Sequence, residues 1–162
     1  MATRRLVLLL LLTIMVGCAS QPERPTTQRQ ALFGLGERAA EAAIVEPKWP
    51  ILITDVVFLL PRPDIGEALQ VDTEHFRETL TRALLAYDEG PQVLNWTPDM
   101  ADAAMPDNQW LLESQLSASG PALRLSDREL LPYQLELTLR RAGDSAPYWE
   151  KTLRGALDAT AL

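Results

Sequence analysis

The side chains able to do covalent chemistry are few, and the one with the most informative setting is Cys18, the single cysteine of the 162-residue chain. Gly17 precedes it, and the apolar run Leu6 to Val16 precedes that. A thiol in this place can be alkylated with a diacylglyceryl group, and the small Gly17 lets a peptidase reach the bond before it. The alternative is a buried core thiol. A lone cysteine excludes an internal disulfide. His75 is the only histidine. Without a second histidine or cysteine it cannot build an ordinary zinc site, and no nucleophile with a base is arranged around it. Carboxylates recur at helical spacing in Glu74 with Glu78 and in Asp99 with Asp102, which suits a solvated face better than an acid–base couple. The chain has no Gly-rich phosphate loop. No catalytic residue, metal or cofactor is therefore expected.

Arg4 and Arg5, the 11 apolar residues Leu6 to Val16 and the small Gly17 follow the charged, apolar and cleavage order of an export signal. A spanning helix needs about 20 residues, so a permanent transmembrane span is the weaker alternative. Met15-Val16-Gly17-Cys18 resembles the lipobox of bacterial lipoproteins, with Met15 where Leu is commoner. That resemblance implies cleavage between Gly17 and Cys18 and lipidation of Cys18, with palmitate-type acyl chains holding the protein to a membrane. Ala19 and Ser20 follow, not an aspartate retention signal, which by the same analogy implies the outer membrane and its periplasmic face.

Without residues 1 to 17, the net charge of −7 becomes about −9, because Arg4 and Arg5 leave and no acid does. An acidic surface repels phosphate backbones and anionic lipid, so nucleic acid is not an expected partner. The expected organisation is a signal at 1–17, a lipid anchor and flexible tether at 18–47, and a periplasmic α+β domain at 48–162. Ser20 to Gln30 is polar, with Pro22 and Pro25, and reads as tether. Ala31 to Glu46 is ambiguous: Glu37 to Ala43 favours helix, yet Gly34 and Gly36 interrupt the approach.

The pattern predicts a central strand over Ile51–Leu60, stopped by Pro61 and Pro63. A main amphipathic helix follows, with Asp72 as N-cap and Val71 and Phe76 as a staple. Phe76, Leu80, Ala83, Leu84 and Tyr87 form its apolar stripe. Gln92–Trp96 reads as a brief strand, Thr97-Pro98 as the start of a short helix, and Trp110–Ser119 as a strand. Tyr133–Arg141 alternates as a half-buried strand, and Ala142–Ala146 turns the chain back into Tyr148–Ala156 as a hairpin. The expected fold is a small antiparallel or mixed sheet with one main helix packed on it. Trp49, Trp96, Trp110 and Trp149 fall at strand ends, where they either close the core or present an aromatic anchor to a partner.

The anchor, the polar tether to Pro25, the strand Ile51–Leu60 and the helix beginning Phe76-Arg-Glu-Thr-Leu are part of a wider pattern. With Trp110-Leu-Leu-Glu-Ser, Tyr133-Gln-Leu-Glu-Leu and Tyr148-Trp149-Glu150-Lys151, it resembles the outer-membrane lipoproteins that activate penicillin-binding proteins, the LpoB type, and related curli-secretion and flagellar-assembly lipoproteins. The resemblance implies a non-enzymatic adaptor or activator of an envelope protein, with a peptidoglycan synthase as one such partner. Two departures stand out: the segment before Trp110 is too short for a second full helix, and the tether is short. The competing expectations are a structural subunit of a secretion or appendage assembly, and a wall-active enzyme. Tyr148 and Trp149, on the hairpin after the Gly143-Asp-Ser turn, are the candidate partner-binding residues. The oligomeric state is left open.

Overall fold

A computed structural model describes residues 28–102 and 106–159. Gly17, Cys18 and the first part of the expected tether lie outside the described residues. Two helices pack on one face of a mixed, open seven-stranded sheet, an α+β arrangement. The elements are α1 (Gln28–Val45), β1 (Val57–Leu60), β2 (Asp64–Ile65), α2 (Thr73–Leu85), β3 (Gln92–Asn95), β4 (Gln109–Ala118), β5 (Leu123–Arg124), β6 (Glu129–Arg141) and β7 (Trp149–Asp158).

Helix α1 lies within the segment 18–47 expected as anchor and tether, largely in the part, Ala31 to Glu46, that the sequence left ambiguous between helix and tether. Leu32, Leu35, Ala39, Ala40, Ala42 and Ala43 are buried along it. The spacing is helical, but most of the buried stripe is alanine, which carries little hydropathic signal. Small residues let α1 approach α2 closely. A Cβ built on Gly36 would stand 2.8 Å from Thr79 Cγ2 and 3.1 Å from the Thr79 carbonyl oxygen. Gly36, which read as a helix breaker, is where the helices touch. Gly36→Ala is therefore expected to lower stability by about 1–3 kcal/mol, since a close-packed contact must open, and thermal unfolding of the variant measures it.

Helix α2 follows its sequence signals. The Asp72 carboxylate accepts a 2.8 Å bond from the His75 N–H, fixing the first turn. Val71 and Phe76 are both buried in the core, as a staple requires. Phe76, Leu80, Ala83 and Leu84 face the sheet, while Arg77 pairs with Glu74 and Arg82 with Glu78 on the outside. The helix stops at Leu85, so Tyr87 leaves the apolar stripe and is 37% exposed.

The first strand is shorter than the apolar run that predicts it. Ile53–Asp55 forms a 3-10 turn, and only Val57–Leu60 joins the sheet, with all four residues buried. Pairing decides the boundary: β1 lies between β3 and β4, both parallel to it, and the register begins with Val57 opposite Gln92 and Gln109. The expected central position is thus observed over four residues. Parallel β2 continues along the same edge of β4, with Asp64 opposite Gln115. On its other side β4 pairs antiparallel with β6 over nine residues, Trp110↔Arg141 to Ala118↔Tyr133. The β6–β7 hairpin pairs ten positions, Leu130↔Asp158 to Leu139↔Trp149. Gly143 takes φ +95° in the connecting turn, a conformation that a Cβ disfavours.

The sheet divides residues by parity. Phe58, Leu60, Trp110, Leu112, Leu116, Tyr133, Leu135, Leu137 and Leu139 join the helices in the main core. The opposite face carries a small second cluster of Val57, Leu59 and Leu111, covered by Trp96. Beyond it that face is polar: Arg140 holds Glu113 at 2.8 Å, and Gln115 donates to Asp64 at 2.7 Å. Hydrogen bonding to Glu113 raises the Arg140 pKa above its ordinary value.

Candidate interaction site at the aromatic corner

Where α1 ends and β1, β4 and β7 begin, four aromatic rings meet. Trp49 lies 5.6 Å from Phe58 and, edge-on, 5.4 Å from Trp110. The ring of Tyr148 meets Trp110 in an edge-type contact at 63°, with centroids 4.9 Å apart. The Arg141 guanidinium sits 5.2 Å from the centre of the Trp110 ring, in reach of a cation–π contact. Trp49 Nε1 donates to the Ile44 carbonyl at 2.8 Å, which ties the corner to the last turn of α1. The Tyr148 hydroxyl donates to the Lys48 carbonyl.

The candidate pair separates in role. Trp149 is half-buried against the main core, opposite Leu139 in the register. Tyr148 is 45% exposed and presents one side of its ring to solvent. The other tryptophans pack inward as well: Trp110 is fully buried, Trp49 closes the core, and Trp96 covers the second cluster. The exposed aromatic at this corner is the tyrosine. The sequence pattern located the hairpin but carried no signal for Lys48, whose carbonyl meets Tyr148 from a hundred residues away, or for Trp49 against Trp110.

His75 is exposed in the first turn of α2, its ring nitrogen 4.0 Å from the Asp72 carboxylate. Glu74 and Glu78 are spent in exposed ion pairs with arginines, as a solvated face would have them. The Asp99 carboxyl is held below its ordinary range by a hydrogen bond from the Thr97 side chain, then by its own backbone N–H. Among the described residues no group of three or more His, Cys, Asp or Glu could hold a metal ion. No helix among them is long and apolar enough to cross a membrane.

Shallow grooves mark the described surface. One of about 460 Å³ lies between α1 and α2, lined by Phe33, Glu37, Arg38, Glu41 and Tyr87. Burial, then the charges of Glu41 and Glu37, push the Tyr87 phenol above its ordinary value. A second, of about 330 Å³, runs between α1 and the outer side of β7, past Ala42, Val45, Glu46, Lys151 and Leu153. The third, also about 330 Å³, lies on the polar face around Asp64, Glu113 and Glu136.

No family model matches the chain, and no curated protein matches it. Solved structures similar in arrangement include a Xanthomonas campestris protein of the DUF330 family, at 10% identity and TM-score 0.44, covering 69% of this chain and 73% of that one. The lipoprotein GNA1162 from Neisseria meningitidis follows at 11% identity and TM-score 0.40, covering 64% and 84%. A homologue of the neuraminyllactose-binding haemagglutinin from Helicobacter pylori gives 11% identity and TM-score 0.37, covering 68% and 72%. At TM-scores below 0.5 these similarities assign no function to the chain.

Proposed function

We propose that this chain is an outer-membrane lipoprotein, anchored through Cys18 on the periplasmic face, that acts by binding as a non-enzymatic adaptor or activator of another envelope protein. The observation that carries the reading is the position of α1. The helix begins at Gln28, so ten peptide steps separate the domain from the candidate acylated Cys18. Fully extended, they span at most about 33 Å. A domain anchored in this way works close to its membrane. Two or three acyl chains suffice for stable anchoring. A peptidoglycan synthase rooted in the inner membrane qualifies as partner only if its own periplasmic part comes to within this reach. The exposed ring of Tyr148, backed by Trp110, which itself packs on Trp49, is the proposed contact, since a rigid aromatic on a packed base loses little entropy on binding.

The test uses the full chain in intact cells. Labelling with a fatty-acid analogue is expected to mark the wild type and not Cys18→Ser. A photo-crosslinking residue at Tyr148 is expected to join the chain to one envelope protein, and to lose that product in Cys18→Ser. Equal labelling of both forms would refute the anchor. A Tyr148 probe that captures nothing while the domain stays folded would refute the contact.

A further inference from the structure

The outer edge of β7 is a row of backbone groups with a defined parity. Ser119 N–H donates to the Pro132 carbonyl and Ala142 N–H to the Gln109 carbonyl, both along the β4–β6 ladder. Even-numbered residues of β6 therefore turn their backbone groups to β4, and odd-numbered ones turn theirs to β7. In the register Leu135↔Leu153 and Leu137↔Lys151, the odd-numbered residues of β7 answer them. Glu150, Thr152, Arg154 and Ala156 then point their N–H and C=O groups away from the sheet. The Arg154 carbonyl confirms the direction: it accepts a 3.2 Å bond from Arg38 Nη2 of α1. Among the described residues no strand lies beside the rest of this edge, and β7 pairs there with β6 alone. Open edges of this length are templates for another strand.

We propose that the strand which completes this edge is β7 of a second copy of the chain, paired antiparallel about Thr152. The side chains favour this occupant and this register. With Thr152 opposite its own counterpart, Glu150 of each copy stands directly across from Arg154 of the other, which gives two opposite-charge cross-strand pairs flanking a Thr–Thr pair. Centred on Leu153, the pairing sets Glu150 against Ala156 and Thr152 against Arg154, with no ion pair. Centred on Arg154, it sets Glu150 against Asp158, two like charges. The strand is thus self-complementary in one of its registers.

The second layer fits the same arrangement. Helix α1 contacts both β6 and β7, and strands lie about 4.8 Å apart. Two-fold pairing brings the two copies of α1 to about 10 Å, the ordinary helix-packing distance. Val45, 66% exposed at the groove beside β7, faces into that seam. The single exposed Arg38 bond to the Arg154 carbonyl gives way to the N–H of Glu150 in the other copy. Tyr148 sits at each end of the paired segment, so the dimer presents the exposed ring twice, and the pairing does not depend on the adaptor reading.

Thr152→Cys in the full, membrane-anchored chain tests the pairing. Residues opposite one another in a hydrogen-bonded antiparallel pair have Cα atoms about 5.5 Å apart, inside the range of about 4.4–6.8 Å that a disulfide spans. Mild oxidation of membranes is expected to give a disulfide-linked homodimer, several-fold above both the unsubstituted chain and Asp127→Cys in the loop between β5 and β6. Adding Glu150→Arg is expected to cut the yield several-fold, and adding Arg154→Glu with it to restore the yield. A Thr152→Cys chain that stays at background, or that crosslinks to a different protein, would overturn the proposal while leaving the Tyr148 contact to be judged by its own probe. Charge reversal without effect would overturn the register.

Discussion

Leu80→Asp is expected to abolish cooperative folding, while Glu78→Ala, two residues away, leaves it intact. Leu80 is 1% exposed, between α1 and the sheet in the main core. The substitution removes a fully buried aliphatic group and leaves a carboxylate with no partner in its place, which costs several kcal/mol. The total stability of a domain of this size is about 5–15 kcal/mol. Glu78 is 52% exposed and engages only Arg82 one turn on, a type of pair worth about 0.3–0.5 kcal/mol. Thermal unfolding followed by circular dichroism separates the two: a sharp transition for Glu78→Ala and none for Leu80→Asp. Similar melting temperatures would contradict the burial of this helix face.

A chain shortened to begin at Trp49 is expected to lose the native fold, and one beginning at residue 28 to keep it. The shorter form lacks Leu32 and Leu35, both nearly inaccessible, and the four buried alanines of α1. Each leucine contributes about 1.5–3 kcal/mol by its own burial, and the faces of α2, β6 and β7 under α1 are laid bare as well. Polar ties go with it too, among them the 2.9 Å bond from Arg38 to the Tyr133 hydroxyl, the Ile44 carbonyl that accepts from Trp49, and the ion pair of Glu46 with Lys151. Side-chain near-ultraviolet dichroism and binding of a hydrophobic dye report the outcome. A form starting at Trp49 that melts with the same midpoint as the longer one would show that α1 is dispensable.

Much of the architecture was legible in the sequence because it is carried by local signals. Asp72, Val71 and Phe76 announced the start of α2 through contacts within five residues. The alternation from Tyr133 to Leu139 placed the core face of β6, and the Gly143 turn announced the hairpin. Helix α1 was only partly legible: Glu37 to Ala43 favoured helix, but nothing local said that it packs on the domain. Alanine supplies helix propensity and close approach but almost no hydropathic contrast, and Gly36 reads as a breaker until Thr79 is seen against it. The end of the strand predicted from Ile51 was equally hidden, since an apolar run does not say where its neighbours stop.

The site divides along the same line. The sequence by itself determined the composition of the segment expected as an export signal, the lone Cys18 behind a small residue, the single histidine, and the Tyr148-Trp149 pair on a hairpin. Each of these is a matter of residue type and near-neighbour order. Only the tertiary structure decided that Trp149 turns inward while Tyr148 remains exposed. It also decided that Tyr148 rests on Trp110 and on the carbonyl of Lys48, and that β7, not β6, forms the outer edge on that side of the sheet. Those outcomes depend on which strands lie side by side. Strand order is set by the packing of segments distant in the chain, such as β1 beside β4, where burial of whole faces outweighs any local preference.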